Sequence, residues 1–236
     1  MTEDKKYKTG CLICGKELVY LKKDEKIRCN YCQNFYDSNV KCIDNHYICD
    51  SCHSLSANDL IEKTCIKSKS ENPLELAMML MKNPNIKMHG PEHHFLVPAV
   101  LLTSYYNIKK EYHKKKEKIK KARKRAEQTF GGFCGTHGTC SGAIGTGIFI
   151  SIITDATPLS EKEWKLSNQM TAKTLSKVAE YGGPRCCKRN TFIAIIEAVN
   201  FLKNRFNENI KIDRDVLCTF SDLNNECIQD QCPFHN

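Results

Sequence analysis

Residues 130–153, FGGFCGTHGTCSGAIGTGIFISII, restrict the fold more than any other stretch of the chain. A glycine-rich head carrying Cys134, His137 and Cys140 runs without a break into an apolar segment. Crossing a bilayer takes about 20 consecutive apolar residues, so this shorter segment must be buried within protein. It reads as a loop feeding a buried helix, with Cys140 near the helix N-terminus. Two other stretches repeat the arrangement. In HGPEHHFLVPAVLLTSYY, His93 and His94 stand at the front of an apolar helix that Pro91 can open. In GGPRCCKRNTFIAIIEAVNFL, Cys186 and Cys187 precede another. Three helices that all need burial predict a mainly α protein whose larger part is all-helical.

The heads of those helices suggest chemistry. A helix's first turn has unpaired N–H groups and partial positive charge, which bias a cysteine there toward thiolate, the form that binds metal. Against this stands the plainer reading of cysteine as a small hydrophobe that allows tight packing. Repetition at three heads favours a shared site built from Cys134, Cys140, Cys186 and Cys187, with His93 or His94 as ligand or proton donor. Iron–sulfur clusters use four cysteines, some replaceable by histidine, so a cluster assembled from separate helices is the expectation; none of the compact ferredoxin spacings is present. A thiol mechanism is the alternative, in which Cys134 or Cys140 resolves Cys186 or Cys187, since neighbouring cysteines pair only in a strained ring. Cys218, Cys227 and Cys232 in the tail either complete a second site or fasten the C-terminus to the core. No residue demands catalysis; the candidates for it are Cys140, Cys186 and His93.

Residues 1–54 read as a separate zinc-ribbon or knuckle module. Each CxxC pair lets two thiolates reach one tetrahedral ion from a tight turn, and three such pairs occur: Cys11 and Cys14, Cys29 and Cys32, Cys49 and Cys52. Cys42 and His46 complete a set of eight donors. A sequential pairing puts Cys11, Cys14, Cys29 and Cys32 on one zinc and Cys42, His46, Cys49 and Cys52 on another. A crossed pairing joins Cys11, Cys14, Cys42 and His46, and leaves Cys29, Cys32, Cys49 and Cys52 for the second ion. Spacing favours neither. A module this short depends on metal for much of its folding free energy.

The chain has 15 cysteines, an odd number, and no apolar segment follows the charged start MTEDKKYK. A cytoplasmic location with metal-bound or reactive thiols, no disulfide framework and no membrane contact is therefore expected. Net charge is +9. Eleven Lys and Arg stand against two Glu between Lys109 and Arg125, so the basicity is one local feature. It predicts a long solvated helix with a thin apolar stripe of Ile108, Tyr112, Ile119 and Ala122. Lys114, Lys115, Lys116, Lys120, Lys121, Arg123, Lys124 and Arg125 are its candidate contacts to nucleic acid or an acidic protein.

Residues 55–71 read as a linker with a short helix at 58–64. A helical Cys/His-rich domain follows over 72–236. Asn72 before Pro73 and Glu75 is a good N-cap for its first helix, and Ser160 with Glu163 has the spacing of a capping box. The elements HGPEHHFLVPAVLLTSYYN, GGFCGTHGTCSGAIGTGIF and GGPRCCKRNTFIAIIEAV resemble an uncharacterised domain family of methanogenic archaea and anaerobic bacteria, sometimes attached to methyltransferases. Their order is more distantly similar to the C-GCAxxG-C-C redox family and its split-Soret cytochrome relatives, with Cys140-Ser-Gly-Ala-Ile-Gly145 as the GCAxxG element. His93 or His94 stands where that family has its first cysteine. The resemblance implies a helical fold, a redox or sulfur/methyl-transfer role in an anaerobe, and a methyltransferase or redox enzyme as protein partner. A non-catalytic adaptor that docks nucleic acid or a larger complex through its basic helix is the second expectation.

Overall fold

The computed structural model describes residues 11, 13–14, 16–49, 52, 56–213 and 215–235. Among these, an antiparallel hairpin of β1 (Leu18–Arg28) and β2 (Phe35–Cys42) precedes eight helices. They are α1 (Ala57–Lys67), α2 (Pro73–Met81), α3 (His93–Ile108), α4 (Tyr112–Ala126), the single-turn α5 (Phe133–Thr136), α6 (Ser141–Ile153), α7 (Lys162–Glu180) and α8 (Cys187–Phe206). The protein is mainly α with a small cysteine-bearing hairpin in front, as the apolar periodicity and the CxxC pairs imply. No helix among the described residues is long and apolar enough to cross a membrane.

Two helices form the centre. Nearly all of α3 is buried, from His93 to Asn107, and α6 is buried along Ala143, Gly145, Thr146, Phe149, Ile150 and Ile152. Neither has a polar face, because each is covered by neighbours on every side: α6 packs on α3, α4, α7 and α8. Two glycines permit the closeness. A β-carbon on Gly142 would sit 2.7 Å from the Asn190 carbonyl oxygen and 3.1 Å from the Ala194 β-carbon of α8; on Gly145 it would meet Val97 at 2.8 Å and Pro98 at 3.0 Å on α3. The small residues of the SGAIGTG run are thus an interhelical seam.

The ends are set by local chemistry. Asn72 caps α2 by accepting from the Leu74 and Glu75 N–H groups. Ser56 caps α1 by accepting from Asp59, and Leu60, Ile61, Thr64 and Cys65 bury that helix in the core, within the 55–71 stretch expected as a linker with a short helix. The capping box expected at Ser160 does not form. Its hydroxyl accepts from the Thr157 N–H, closing the preceding turn, and α7 begins at Lys162.

The basic segment differs from the solvated rod that its composition suggests. Lys115 is buried, with Nζ donating to the Ser68 carbonyl at 2.6 Å and to Asn107 Oδ1 at 2.9 Å, while Asn107 Nδ2 donates to the carbonyls of Ser68 and Ser70. This polar lock ties the α1–α2 connection to α3 and α4, and burial lowers the Lys115 pKa from its usual range. The buried stripe of α4 is Lys115, Ile119, Ala122 and Ala126, whereas Tyr112 is exposed.

Gly142→Ala tests the seam. Alanine favours helix by up to about 1 kcal/mol over glycine, but here the added methyl meets backbone oxygen, and overpacking costs about 1–3 kcal/mol. The net result expected in urea unfolding is a lower midpoint with an unchanged slope.

Candidate metal centres

The hairpin determines how the eight N-terminal donors divide. Antiparallel pairing sets Leu18 opposite Cys42 and Arg28 opposite Phe35. The end of β2 therefore lies beside the knuckle that precedes β1, and the Cys29–Cys32 knuckle occupies the far, turn end. The chain then returns along the hairpin: the Asn30 N–H donates to the Tyr47 carbonyl, and the Tyr47 N–H to Asn30 Oδ1. That return delivers Cys49 and Cys52 to the second knuckle. The result is the crossed arrangement, Cys11, Cys14, Cys42 and His46 in one group and Cys29, Cys32, Cys49 and Cys52 in the other, each with its ligand atoms within 4.8 Å of one another.

Both groups fit one tetrahedral ion. Metal–sulfur bonds of about 2.3 Å imply sulfur–sulfur edges of about 3.8 Å; Cys32 and Cys49 stand at 3.8 Å and Cys14 and Cys42 at 3.4 Å. Backbone N–H groups donate to the sulfurs, from Ile13 to Cys11, from Asp44 to Cys42 and from Cys49 to Cys29. His46 Nδ1 is buried with no hydrogen-bond partner among the described residues, an orphan that a metal would satisfy. Without a cation the crowding is unfavourable: burial pushes the Cys11 thiol up to about 11 and also raises Cys29 and Cys52. A divalent ion reverses this by binding the thiolates directly.

The second group is hydrophobically continuous with the helices. Cys29, Cys32, Cys49 and Cys52 share a core with Leu60, Ile61, Leu80 and Met81, and Asn83 Nδ2 donates to the buried Tyr31 hydroxyl. The knuckle is seated on the helical part of the chain.

The donors of the helix heads are arranged otherwise. Three heads do meet: His93 Nδ1 and Thr191 Oγ1 are 2.9 Å apart, and Asn190 Nδ2 donates to Cys140 Sγ at 3.3 Å. His93 Nε2 lies 3.1 Å from the Lys87 carbonyl, so both its ring nitrogens are engaged within the protein, and His94 Nδ1 lies 2.8 Å from the Pro91 carbonyl. Cys140 is the N-cap of α6 and Cys186 the N-cap of α8. Cys187 faces Ser141, the Gly90 backbone and Cys140, while Cys186, one residue earlier, faces the tail beside Cys232. Cys134 is exposed on the single turn α5. With Cys140, Arg185, Arg189 and Asn190, it lines a pocket between the glycine-rich loop and the Gly182–Gly183 turn. Among the described residues, Cys134, Cys140, Cys186, Cys187, His93 and His94 do not form a group tight enough for a single ion.

Position at a helix head does not make Cys186 and Cys187 thiolates. Burial raises Cys186 and pushes Cys187 up to about 11, outweighing the N–H groups that lower both.

Of the basic candidates, Lys115 is internal. Arg123 pairs with Asp59, Glu62 and Glu127, Lys121 with Asp155, and Arg125 donates to Ser151. Lys116, Lys120 and Lys124 remain exposed, as does Lys114, which pairs with Glu111.

A family model described as a family of unknown function (DUF5714) matches residues 61–235, most of the chain and all of its helical part beyond the start of α1. No curated protein and no solved structure matches the chain.

The crossed grouping has a direct consequence for metal content. Cys11→Ser and Cys42→Ser are expected each to lose one metal per chain and, combined, still only one; Cys11→Ser with Cys49→Ser loses two. Elemental analysis after gel filtration reads the difference, and sequential pairing would give a loss of two for the Cys11–Cys42 combination.

Histidine burial predicts an acid-sensitive fold. Burial lowers His93 from 6.5 to about 3, so the unfolded chain binds the extra proton between those values and stability falls as pH drops below 6.5. At about 1.4 kcal/mol per unit, the loss is roughly 2 kcal/mol by pH 5. His93→Gln should flatten that limb of the stability–pH curve in urea titrations, even if it lowers stability at neutral pH.

Proposed function

The chain belongs to the DUF5714 family, and on that premise we propose that it is a two-zinc, thiol-active protein serving redox or sulfur/methyl-transfer chemistry in an anaerobe. Zinc fits both N-terminal groups by donor type and spacing, and the first also by the orphaned imidazole nitrogen of His46. With no open ligand position, the ions serve to shape the hairpin and seat it on the helices.

The observation that carries the reading is the position of Cys140. It lies at the junction of three helix heads, on the wall of a pocket that also contains the exposed Cys134 and the cations Arg185 and Arg189. Cys187 approaches from the α8 side. A resting thiol with a second thiol within electrostatic range can hold and release a pair of electrons as a disulfide, or pass a sulfur or methyl group between carriers. The two arginines favour a substrate with an anionic end. A methyltransferase or redox enzyme is the partner that fits such a role.

A second reading has its own observation. Lys116, Lys120 and Lys124 extend from α4 into solvent, a charge surplus suited to docking an acidic or phosphate-rich partner. On that reading the helical part is an adaptor.

Oxidised glutathione separates the two. In the folded protein its reduction to two glutathione molecules is expected to take two electrons and two protons from Cys140 and a neighbouring thiol, leaving a disulfide from Cys140 to Cys187 or Cys134 in peptide maps. Cys140→Ser should abolish that crosslink while both zinc ions stay. An unreactive Cys140, together with salt-sensitive retention on a polyanion column that Lys116→Ala, Lys120→Ala and Lys124→Ala remove together, would favour the adaptor.

A further inference from the structure

The three cysteines of the tail converge on the cysteine that the helix-head pocket leaves out. Cys186, Cys218, Cys227 and Cys232 line a single pocket, roofed by Phe192 and Phe220. They come from the α8 N-cap and from three points along the tail, so only the folded chain brings them together.

Three of the four sulfurs are already solvated by backbone. The Arg189 N–H donates to Cys186, the Phe220 N–H to Cys218 and the Gln229 N–H to Cys227, each at 3.4 Å. The same contact, at the same length, recurs at Cys11 and Cys42 in the N-terminal metal groups. Thiol sulfur is a weak acceptor, whereas a metal-bound thiolate is stabilised by such N–H groups.

Charge points the same way. Arg189 is buried on the pocket wall, yet its guanidinium donates only to neutral groups, the carbonyls of Gly182 and Pro184 and the amide oxygen of Asn190, and no ion pair among the described residues includes it. Lys188, also buried, donates from Nζ to the carbonyls of Met81 and Ile86 and lies 4.1 Å from the centre of the Phe220 ring. A buried cation beside four thiols suits a site that becomes negative when loaded.

Geometry chooses the kind of metal. The four sulfurs are absent from the sets close enough to share one ion, unlike those of the hairpin. Ligands spread around a cavity match a cluster in which each iron takes its own cysteine. The tail also needs such a tie. Beyond α8 its described residues form only two short 3-10 turns, Ser221–Leu223 and Gln229–Gln231, and their apolar anchors are few, Phe220 and Phe234 chief among them. Ordering so irregular a segment costs conformational entropy that a shared metal offsets.

We propose that Cys186, Cys218, Cys227 and Cys232 ligate an iron–sulfur cluster that fastens the C-terminal tail over the head of α8. Tail cysteines thereby replace the Cys134, Cys140 and Cys187 of the sequence reading, and the site shares no cysteine with the thiol pocket, although Arg189 lines both.

The test is full-length protein produced and handled without oxygen, assayed for iron, acid-labile sulfide and zinc, with visible and electron paramagnetic resonance spectra before and after dithionite. About four iron and four sulfide per chain are expected, falling at least tenfold in Cys227→Ser and in Cys232→Ser. Cys134→Ser and Cys140→Ser should keep both. Retention of the two hairpin zinc ions and of helical circular dichroism shows that each variant is folded. Absence of iron and sulfide after anaerobic incubation with ferrous and ferric iron plus sulfide would overturn the proposal. So would a third zinc bound by these cysteines, a disulfide among them, or loss of the cluster in Cys140→Ser with retention in Cys227→Ser. A silent Cys140 toward glutathione with an intact cluster would count against the thiol reading alone.

Discussion

Everything in the helical part depends on how closely α6 approaches α3 and α8. Gly142 and Gly145 remove the side chains that would hold those helices apart. The gap closes until Asn190 reaches Cys140 and His93 reaches Thr191. Those two polar contacts fix the three helix heads in register, and that register decides which way each reactive side chain turns. A buried hydrogen bond contributes only about 1 kcal/mol net, but a buried polar group left unpaired costs more. The arrangement therefore tolerates little sliding. The glycine-rich loop hangs from one of these heads and the cysteine-bearing tail lies against another, so both candidate chemistries inherit their geometry from one seam.

A second constraint acts at the front of the chain. Strand pairing joins residues far apart in sequence, and in doing so it interleaves two ligand sets instead of placing them one after the other. Each end of the hairpin then carries one group of donors that could hold a metal ion. Because the second group shares its core with α1 and α2, an ion bound there would act on the helices through packing. The hairpin's own exposed apolar residues, Tyr20 and Phe35 among them, show how little core it could form alone.

Charge is distributed with the same economy. The basic run looks like a binding surface by composition, yet Lys115, Lys118, Lys121, Arg123 and Arg125 are committed to contacts with Ser68, Asp155, Asp59, Glu62, Glu127 and Ser151. Many of these are surface pairs of small individual worth. Their collective effect is to bind α4 to α1 and to the turn after α6. What remains for a partner is a narrow outer row of lysines.

The sequence by itself determined the element types, since apolar periodicity, an Asn-Pro cap and tight CxxC turns are local signals that act within a few residues. It marked the eight hairpin donors, and it marked the three helix heads as special. It did not determine which donors share an ion, because either pairing satisfies the spacing and only the Leu18–Cys42 strand register distinguishes them. Nor did it show that Lys115 would be internal or that Cys186 and Cys187 would face opposite ways. Each of those depends on a neighbour dozens of residues away. Only tertiary structure decided them, because burial and orientation belong to packed surfaces, and a packed surface exists only once distant segments have met.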